Sequence, residues 1–198
     1  SRSPENQPYS GSYFFDSSPI FSIEASRQAV SDLSQLISNY QNLYEKIYVG
    51  GFSLGGHIVS YLATCDNRAS LYFMGYTGAR LDETIDELEL CPGIQNKKKL
   101  IEENKLNFKR LYKTLDLLNY KSVVSREKVI SIAGVYDKII SYKRVDYLRK
   151  FFTNIHNIDF NSGHLELVIE APKAIKQIIK LIKKDMKKGM NDENQINR

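Results

Sequence analysis

A serine flanked by glycines lies between a strand-like and a helix-like segment, and it constrains the fold more than any other part of the chain. The motif is Gly51-Phe52-Ser53-Leu54-Gly55, between the strand-like run 46–51 and the helix-like run 57–63. A serine at the apex of such a strand–turn–helix is typical of a nucleophile elbow. Glycine at positions 51 and 55 removes the Cβ clashes of a sharp turn. We therefore expect Ser53 Oγ to project above a sheet and the Leu54 amide to face a developing oxyanion.

The pattern of apolar runs predicts an α/β fold with a mostly parallel sheet and helices on both faces. Strands are predicted at 47–52, 71–76, 129–134 and 155–160. The first three are apolar almost throughout, which is typical of strands covered on both faces. Helices are predicted at 23–44 with Ser22 as N-cap, at 54–63, at 141–152 and from 171 onward. Alternation of this kind favours a parallel sheet.

A chain of 198 residues suits one domain. Residues 1–22 are predicted to be an irregular segment, and 23–188 to form the α/β domain. Within it, 80–127 is polar, lysine-rich and helical, and too long for a plain connection, which usually takes about 2–6 residues. We expect a lid-like insert above the sheet, over the site. Residues 189–198 are predicted to be a disordered tail.

Composition excludes several classes of protein. No apolar run of membrane-spanning length occurs, and the first eight residues lack the apolar core of a signal peptide. Cys65 and Cys91 do not make a disulfide framework, so we predict free thiols and a cytoplasmic location. The three histidines and two cysteines show no metal-ligand spacing, and no phosphate or dinucleotide loop occurs. We expect neither a metal nor a cofactor.

The positive charge is concentrated near the end of the chain. Residues 173–188 carry a net charge of +6, whereas the rest of the chain carries −1. A near-neutral body argues against a nucleic-acid partner. The lysines accompany an apolar face in a predicted helix, and that face carries Ile175, Ile178, Ile179, Ile182 and Met186. Two interpretations stay open: a last sheet-packing helix with a solvated lysine face, or a basic amphipathic segment that contacts anionic membrane.

A serine nucleophile needs a base and a carboxylate that orients it, and both follow the serine in this architecture. Asp137 comes just after the predicted strand 129–134, and His164 follows the last strand. Both positions lie at the carboxyl ends of strands, where open α/β sheets place their sites.

Each candidate has a structural alternative or a rival. Ser53 can be a small residue in a tight turn, and Asp137 an N-cap. Asp146 and Asp159 lie inside predicted elements rather than after them. Among the histidines, His57 is predicted to pack on the helix after the elbow, and His156 lies before or within the last strand.

These motifs together resemble those of a known family. Gly50-Gly51-Phe52-Ser53-Leu54-Gly55-Gly56 is similar to the GGFSxGG elbow of the phospholipase/carboxylesterase family of α/β-hydrolases, which includes acyl-protein thioesterases and lysophospholipases. Further motifs of that family resemble Phe14-Phe15-Asp16, Gly134-x-x-Asp137-x-Ile139-Ile140 and Gly163-His164. The resemblance covers roughly residues 12–180 outside the insert. It implies an α/β-hydrolase fold with Ser53 as nucleophile, Asp137 as orienting acid and His164 as base.

The chain departs from that family in two ways. Leu54 stands where the family usually has Gln, although the amide remains for an oxyanion. Only 52 residues precede Ser53, and none forms the strand and His-Gly turn that supply the second oxyanion amide in the family. We expect a fragment or an N-terminally reduced sheet, with the strand before Ser53 at an open edge. Loss of one oxyanion donor typically lowers turnover by about 10²–10³-fold.

The leading functional prediction is a serine hydrolase that cleaves carboxylic esters or thioesters through an acyl-enzyme, without a cofactor. Its substrate would be an acyl ester or thioester, including a lipid or a lipidated protein. The alternative is a catalytically weak or inactive relative that serves as a binding protein. A peptidase of the same fold is a third hypothesis.

Overall fold

The computed structural model describes residues 19–80, 82–83, 109–114, 116–153 and 156–196. The Phe14-Phe15-Asp16 motif, Cys91 and residues 84–108 of the predicted insert lie outside these residues.

The described part of the chain forms one four-stranded parallel sheet in the order β1-β2-β3-β4. The strands are β1 (Tyr48–Phe52), β2 (Leu71–Gly75), β3 (Val129–Gly134) and β4 (His156–Phe160). At the carboxyl edge Phe52 is in register with Gly75, and Gly134 with Phe160. The predicted α/β class is confirmed, and the segments that follow the four strands meet at one edge of the sheet.

Helices cover both faces of this sheet. They are α1 (Pro19–Tyr40), α2 (Leu54–Leu62), α3 (Tyr142–Phe151) and α4 (Leu167–Ile196). Alternate β2 residues divide between two cores: Tyr72 and Met74 pack with α1, α2 and α3, whereas Leu71 and Phe73 pack with α4. Every β2 residue is buried. This double coverage explains why the strand sequence is continuously apolar.

Several helix boundaries differ from the sequence-based prediction. α1 ends at Tyr40 rather than at residue 44, and α4 begins at Leu167 rather than at residue 171. α1 begins at Pro19 rather than near Ser22, because proline suits the first turn of a helix, where its missing N–H has no helical acceptor. Ser22 therefore lies inside the helix. α4 continues to Ile196, through most of the predicted disordered tail. No proline follows Pro172 to stop it, and Gly189 alone does not end it.

The last part of the predicted insert lies away from the serine. Leu117 and Val124 are buried in the core beside the C-terminal end of α2. The Val123 N–H donates to Ala63 O at 3.2 Å, and Lys128 Nζ donates to the carbonyl oxygens of Asn67 and Ala69. Residues 116–127 thus pack near the amino ends of the strands, which differs from the expected position over the site.

β1 is the edge strand of the described sheet. Among the described residues it pairs only with β2.

Of the helices in this part of the chain, none combines the length and the apolar composition of a membrane span.

Candidate active site

Ser53 occupies a strained turn between β1 and α2. Its backbone has φ 52° and ψ −117°, and residues other than glycine rarely adopt a positive φ. Two hydrogen bonds hold it: the Ser53 N–H donates to Gly75 O at 2.8 Å, and Ser53 O accepts from the His57 N–H at 3.0 Å. Leu54 is the first residue of α2, so its N–H belongs to the helix N-terminal amides that have no helical acceptor. The turn therefore presents a hydroxyl beside an amide donor.

The glycines of this turn do not contribute equally. A Cβ on Gly51 would collide with the Gly55 backbone, and a Cβ on Gly56 would lie 2.6 Å from Gly75 O. A Cβ on Gly55 would meet nothing within 4 Å. From the sequence we expected glycine to avoid a Cβ clash at both position 51 and position 55. This expectation is correct for Gly51 and wrong for Gly55. Gly56 is the second constrained position, because α2 directs its Cα toward the β2 backbone.

This difference predicts opposite results for two neighbouring alanine substitutions. Gly56→Ala should lower the free energy of unfolding by about 2 kcal/mol or more, because the β2 carbonyl cannot move aside cheaply. Gly55→Ala should leave it within about 1 kcal/mol of wild type or raise it, since alanine favours a helix. Urea unfolding of the two variants measures both values. Equal stabilities would contradict the assignment of the close contact to Gly56.

The three sequence-predicted residues form one continuous hydrogen-bonded chain. Ser53 Oγ lies 2.9 Å from His164 Nε2, and His164 Nδ1 lies 2.7 Å from Asp137 Oδ2. The three residues come from the segments after β1, β4 and β3. The Asp137 side chain is only 2% exposed and that of His164 13%. Water screens the histidine–aspartate pair weakly, so the carboxylate acts strongly on the imidazole.

Asp137 is oriented by its own turn. Its Oδ1 accepts the backbone N–H groups of Ile139 and Ile140, each at 2.8 Å. Its N–H donates to Gly134 O at 3.3 Å and anchors the turn to the end of β3. Oδ1 is therefore occupied, and Oδ2 is the oxygen left for His164.

The rival residues make other contacts. His57 stacks edge-on against Tyr61 at 4.8 Å between ring centroids, and burial together with the Arg144 charge lowers its pKa to about 4. His156 begins β4, at the opposite end of that strand from the His164 turn. Asp159 pairs with Arg149 at 2.6 Å, and Asp146 lies within α3. Among these candidate histidines and aspartates, only His164 and Asp137 join the Ser53 hydrogen-bonded chain.

Tyr76 supports the histidine and was not identified from the sequence. It follows β2 with φ 50° and is fully buried, and its ring meets the His164 ring edge-on at 6.0 Å. Its hydroxyl lies 2.7 Å from the buried Ser162 Oγ. The Gly163 N–H donates to a Glu166 carboxylate oxygen in the same turn. The one signal in the sequence is the place of Tyr76 directly after a buried strand, at the edge that carries the other three residues.

The arrangement has the parts needed for acyl transfer. With the Nδ1 proton donated to Asp137, His164 Nε2 can accept the Ser53 proton, and the Leu54 N–H lies beside the nucleophile. In the described part of the chain, no group of three or more His, Cys, Asp or Glu side chains is placed to hold a metal ion.

Comparison with known proteins gives matches in structure but not in sequence. No family model and no curated relative matches the sequence. An esterase of Pyrococcus furiosus is similar with a TM-score of 0.58 at 15% identity, over 77% of this chain and 59% of the esterase. An enol-lactonase from Burkholderia xenovorans gives 0.54 at 14% identity, over 80% of this chain and 73% of that protein.

An acylaminoacyl peptidase of Pyrococcus horikoshii is also similar, with a TM-score of 0.55 at 16% identity. The match covers 75% of this chain and 26% of the peptidase. The chain thus spans about three fifths of the esterase and a quarter of the peptidase. At identities this low, structural similarity establishes the fold alone. Together with the parallel sheet and its flanking helices, these structural matches show that the chain has an α/β-hydrolase fold.

Proposed function

We propose that the chain is a serine hydrolase that cleaves carboxylic esters or thioesters through an acyl-enzyme intermediate. The observation that carries the proposal is the hydrogen-bonded chain from Ser53 Oγ through His164 to Asp137 Oδ2. Structural neighbours described as an esterase and an enol-lactonase support it.

In the proposed mechanism, His164 Nε2 takes the Ser53 proton as Oγ attacks the acyl carbonyl carbon. The Leu54 N–H donates to the oxyanion of the tetrahedral intermediate. His164 then gives its proton to the departing alkoxide or thiolate, which leaves an acyl-Ser53 ester. A water molecule, deprotonated by His164, hydrolyses that ester and restores the Ser53 hydroxyl. Asp137 stays ionised and stabilises the imidazolium in both halves of the reaction.

Within this class we propose the phospholipase/carboxylesterase type, which acts as acyl-protein thioesterase, lysophospholipase or carboxylesterase. Its elbow motif spans Gly50–Gly56, and its acid and base motifs coincide with the Asp137 and His164 turns. Among the described residues, the Leu54 N–H at the start of α2 is the amide that we assign to the oxyanion.

Hydrolysis of short-chain and long-chain acyl esters and thioesters by wild type and Ser53→Ala tests the proposal. We expect release of acid by wild type and none above background by Ser53→Ala. Ser125→Ala, at an exposed serine before β3, is the matched control and should behave as wild type. Equal background rates for wild type and Ser53→Ala would favour the alternative, a binding protein of the same fold.

A further inference from the structure

α4 carries an exposed apolar row beside the face that packs on the sheet. Its packed side chains are Leu167, Ala174, Ile178, Leu181 and Ile182. Val168, Ile175, Ile179 and Met186 are instead exposed, with 80%, 46%, 43% and 51% of their surfaces accessible. At 3.6 residues per turn these four positions fall within about 40° of one another around the helix. We call them the apolar stripe. A helix that only closed the sheet would carry polar side chains there.

A row of lysines runs alongside the apolar stripe. Lys176, Lys180 and Lys183 are exposed, and at 3.6 residues per turn they lie roughly a quarter-turn further around α4 than the apolar stripe. Lys173 pairs with Glu170 at 2.9 Å, whereas no described carboxylate forms an ion pair with those three lysines. The exposed side of α4 is therefore apolar along one flank and cationic along the next.

The apolar stripe begins at Val168, four residues after His164 in the chain. Leu165 and Ile169, which follow His164 in the chain, are 82% and 69% exposed, and Val168 is the first residue of the stripe. The Leu167 N–H donates to His164 O, which ties the first turn of α4 to the histidine. An apolar phase in contact with the stripe would therefore also reach the mouth of the candidate active site.

We propose that α4 docks this chain on an anionic lipid bilayer, with the apolar stripe among the upper acyl chains and the lysines at the headgroups. The apolar stripe lies on the convex surface of a helix and is one side chain wide. A partner helix would need a groove to pack in, whereas the acyl chains of a bilayer can surround a convex surface. Lysines beside an apolar row extend their ammonium groups to headgroup phosphates while their stems stay apolar. Binding of α4 to the bilayer does not depend on catalysis by Ser53. Delivery of acylated substrates from the bilayer to Ser53, in contrast, rests on the proposed function.

Co-sedimentation with vesicles tests the docking. We expect binding to phosphatidylcholine–phosphatidylserine vesicles, weaker binding to phosphatidylcholine alone, and loss of binding as salt rises. Ile175→Ser/Ile179→Ser and Lys176→Gln/Lys180→Gln should each weaken binding by about tenfold or more. Lys121→Gln/Lys150→Gln removes the same charge from exposed positions outside α4 and should leave binding unchanged.

Three results would overturn the proposal. One is absence of binding to phosphatidylserine vesicles by folded wild type. A second is equal loss in the α4 and control lysine variants, which indicates only general charge attraction. The third is a wild-type dimer that Ile175→Ser/Ile179→Ser converts to a monomer in sedimentation velocity, which would mean that a second copy covers the stripe. Hydrolysis of a water-soluble short-chain ester should be unchanged in all these variants, and this separates failure of docking from failure of the proposed chemistry.

Discussion

His164→Ala is expected to lower kcat for ester hydrolysis as far as Ser53→Ala does, by roughly 10⁴- to 10⁶-fold. The two side chains act as one unit, because the 2.9 Å contact between Ser53 Oγ and His164 Nε2 is the route by which the hydroxyl loses its proton. Without the His164 imidazole the Ser53 hydroxyl is not deprotonated, and without that hydroxyl the imidazole has no nucleophile to activate. The double variant should therefore be no slower than either single variant, and steady-state kinetics on one soluble ester measures all three.

His156→Ala is the control for this comparison. It removes an exposed histidine at the other end of β4 and should leave kcat unchanged. Circular dichroism of each variant checks the fold. Independent, multiplicative losses in the double variant would contradict the account, since they would mean that Ser53 and His164 contribute separately.

Asp137→Asn is expected to lower kcat by about 10⁴-fold without disturbing the fold. The N–H groups of Ile139 and Ile140 both donate to Oδ1, so they hold the oxygen of the new amide at that position. The NH₂ group must then face His164 Nδ1, which has to become an acceptor. The imidazole proton moves to Nε2, and Nε2 in that tautomer cannot accept a proton from Ser53.

Asp146→Asn makes the same chemical change within α3 and should retain wild-type kcat. KM should change little in Asp137→Asn, because Asp137 touches the histidine rather than the acyl group. Wild-type turnover by Asp137→Asn would show that the carboxylate does not set the tautomer of His164.

The site could be predicted from the sequence because of the sheet topology. Each proposed residue follows a predicted strand, and parallel strands bring their carboxyl ends to one edge, so Ser53, Asp137 and His164 meet although the first and last are 111 positions apart in the chain. Tyr76 follows the same rule. An aromatic residue after a strand has many structural roles, however, and only the ring contact with His164 distinguishes this one.

Features that depend on tertiary contacts were predicted less well. Whether Gly55 or Gly56 is constrained depends on the rotation of α2 against β2, which a motif does not specify. The course of residues 116–127 depends on burial of Leu117 and Val124 against α2. Their neighbours Leu118 and Val123 are also apolar but exposed, so the sequence did not specify which of them would be buried. On α4 the helical spacing groups Ile175, Ile178, Ile179, Ile182 and Met186 on one face. Of these, only Ile178 and Ile182 pack, partly buried, against the sheet, whereas the other three are exposed.

Mass spectrometry after incubation with an alkyl fluorophosphonate tests most directly whether Ser53 is an activated nucleophile. The hydroxyl should displace fluoride, giving one phosphonyl adduct per chain on the peptide that contains Ser53, and Ser53→Ala should gain none. Unmodified wild-type protein, beside a serine hydrolase that becomes fully labelled in the same tube, would contradict the account, as would an adduct on any other serine.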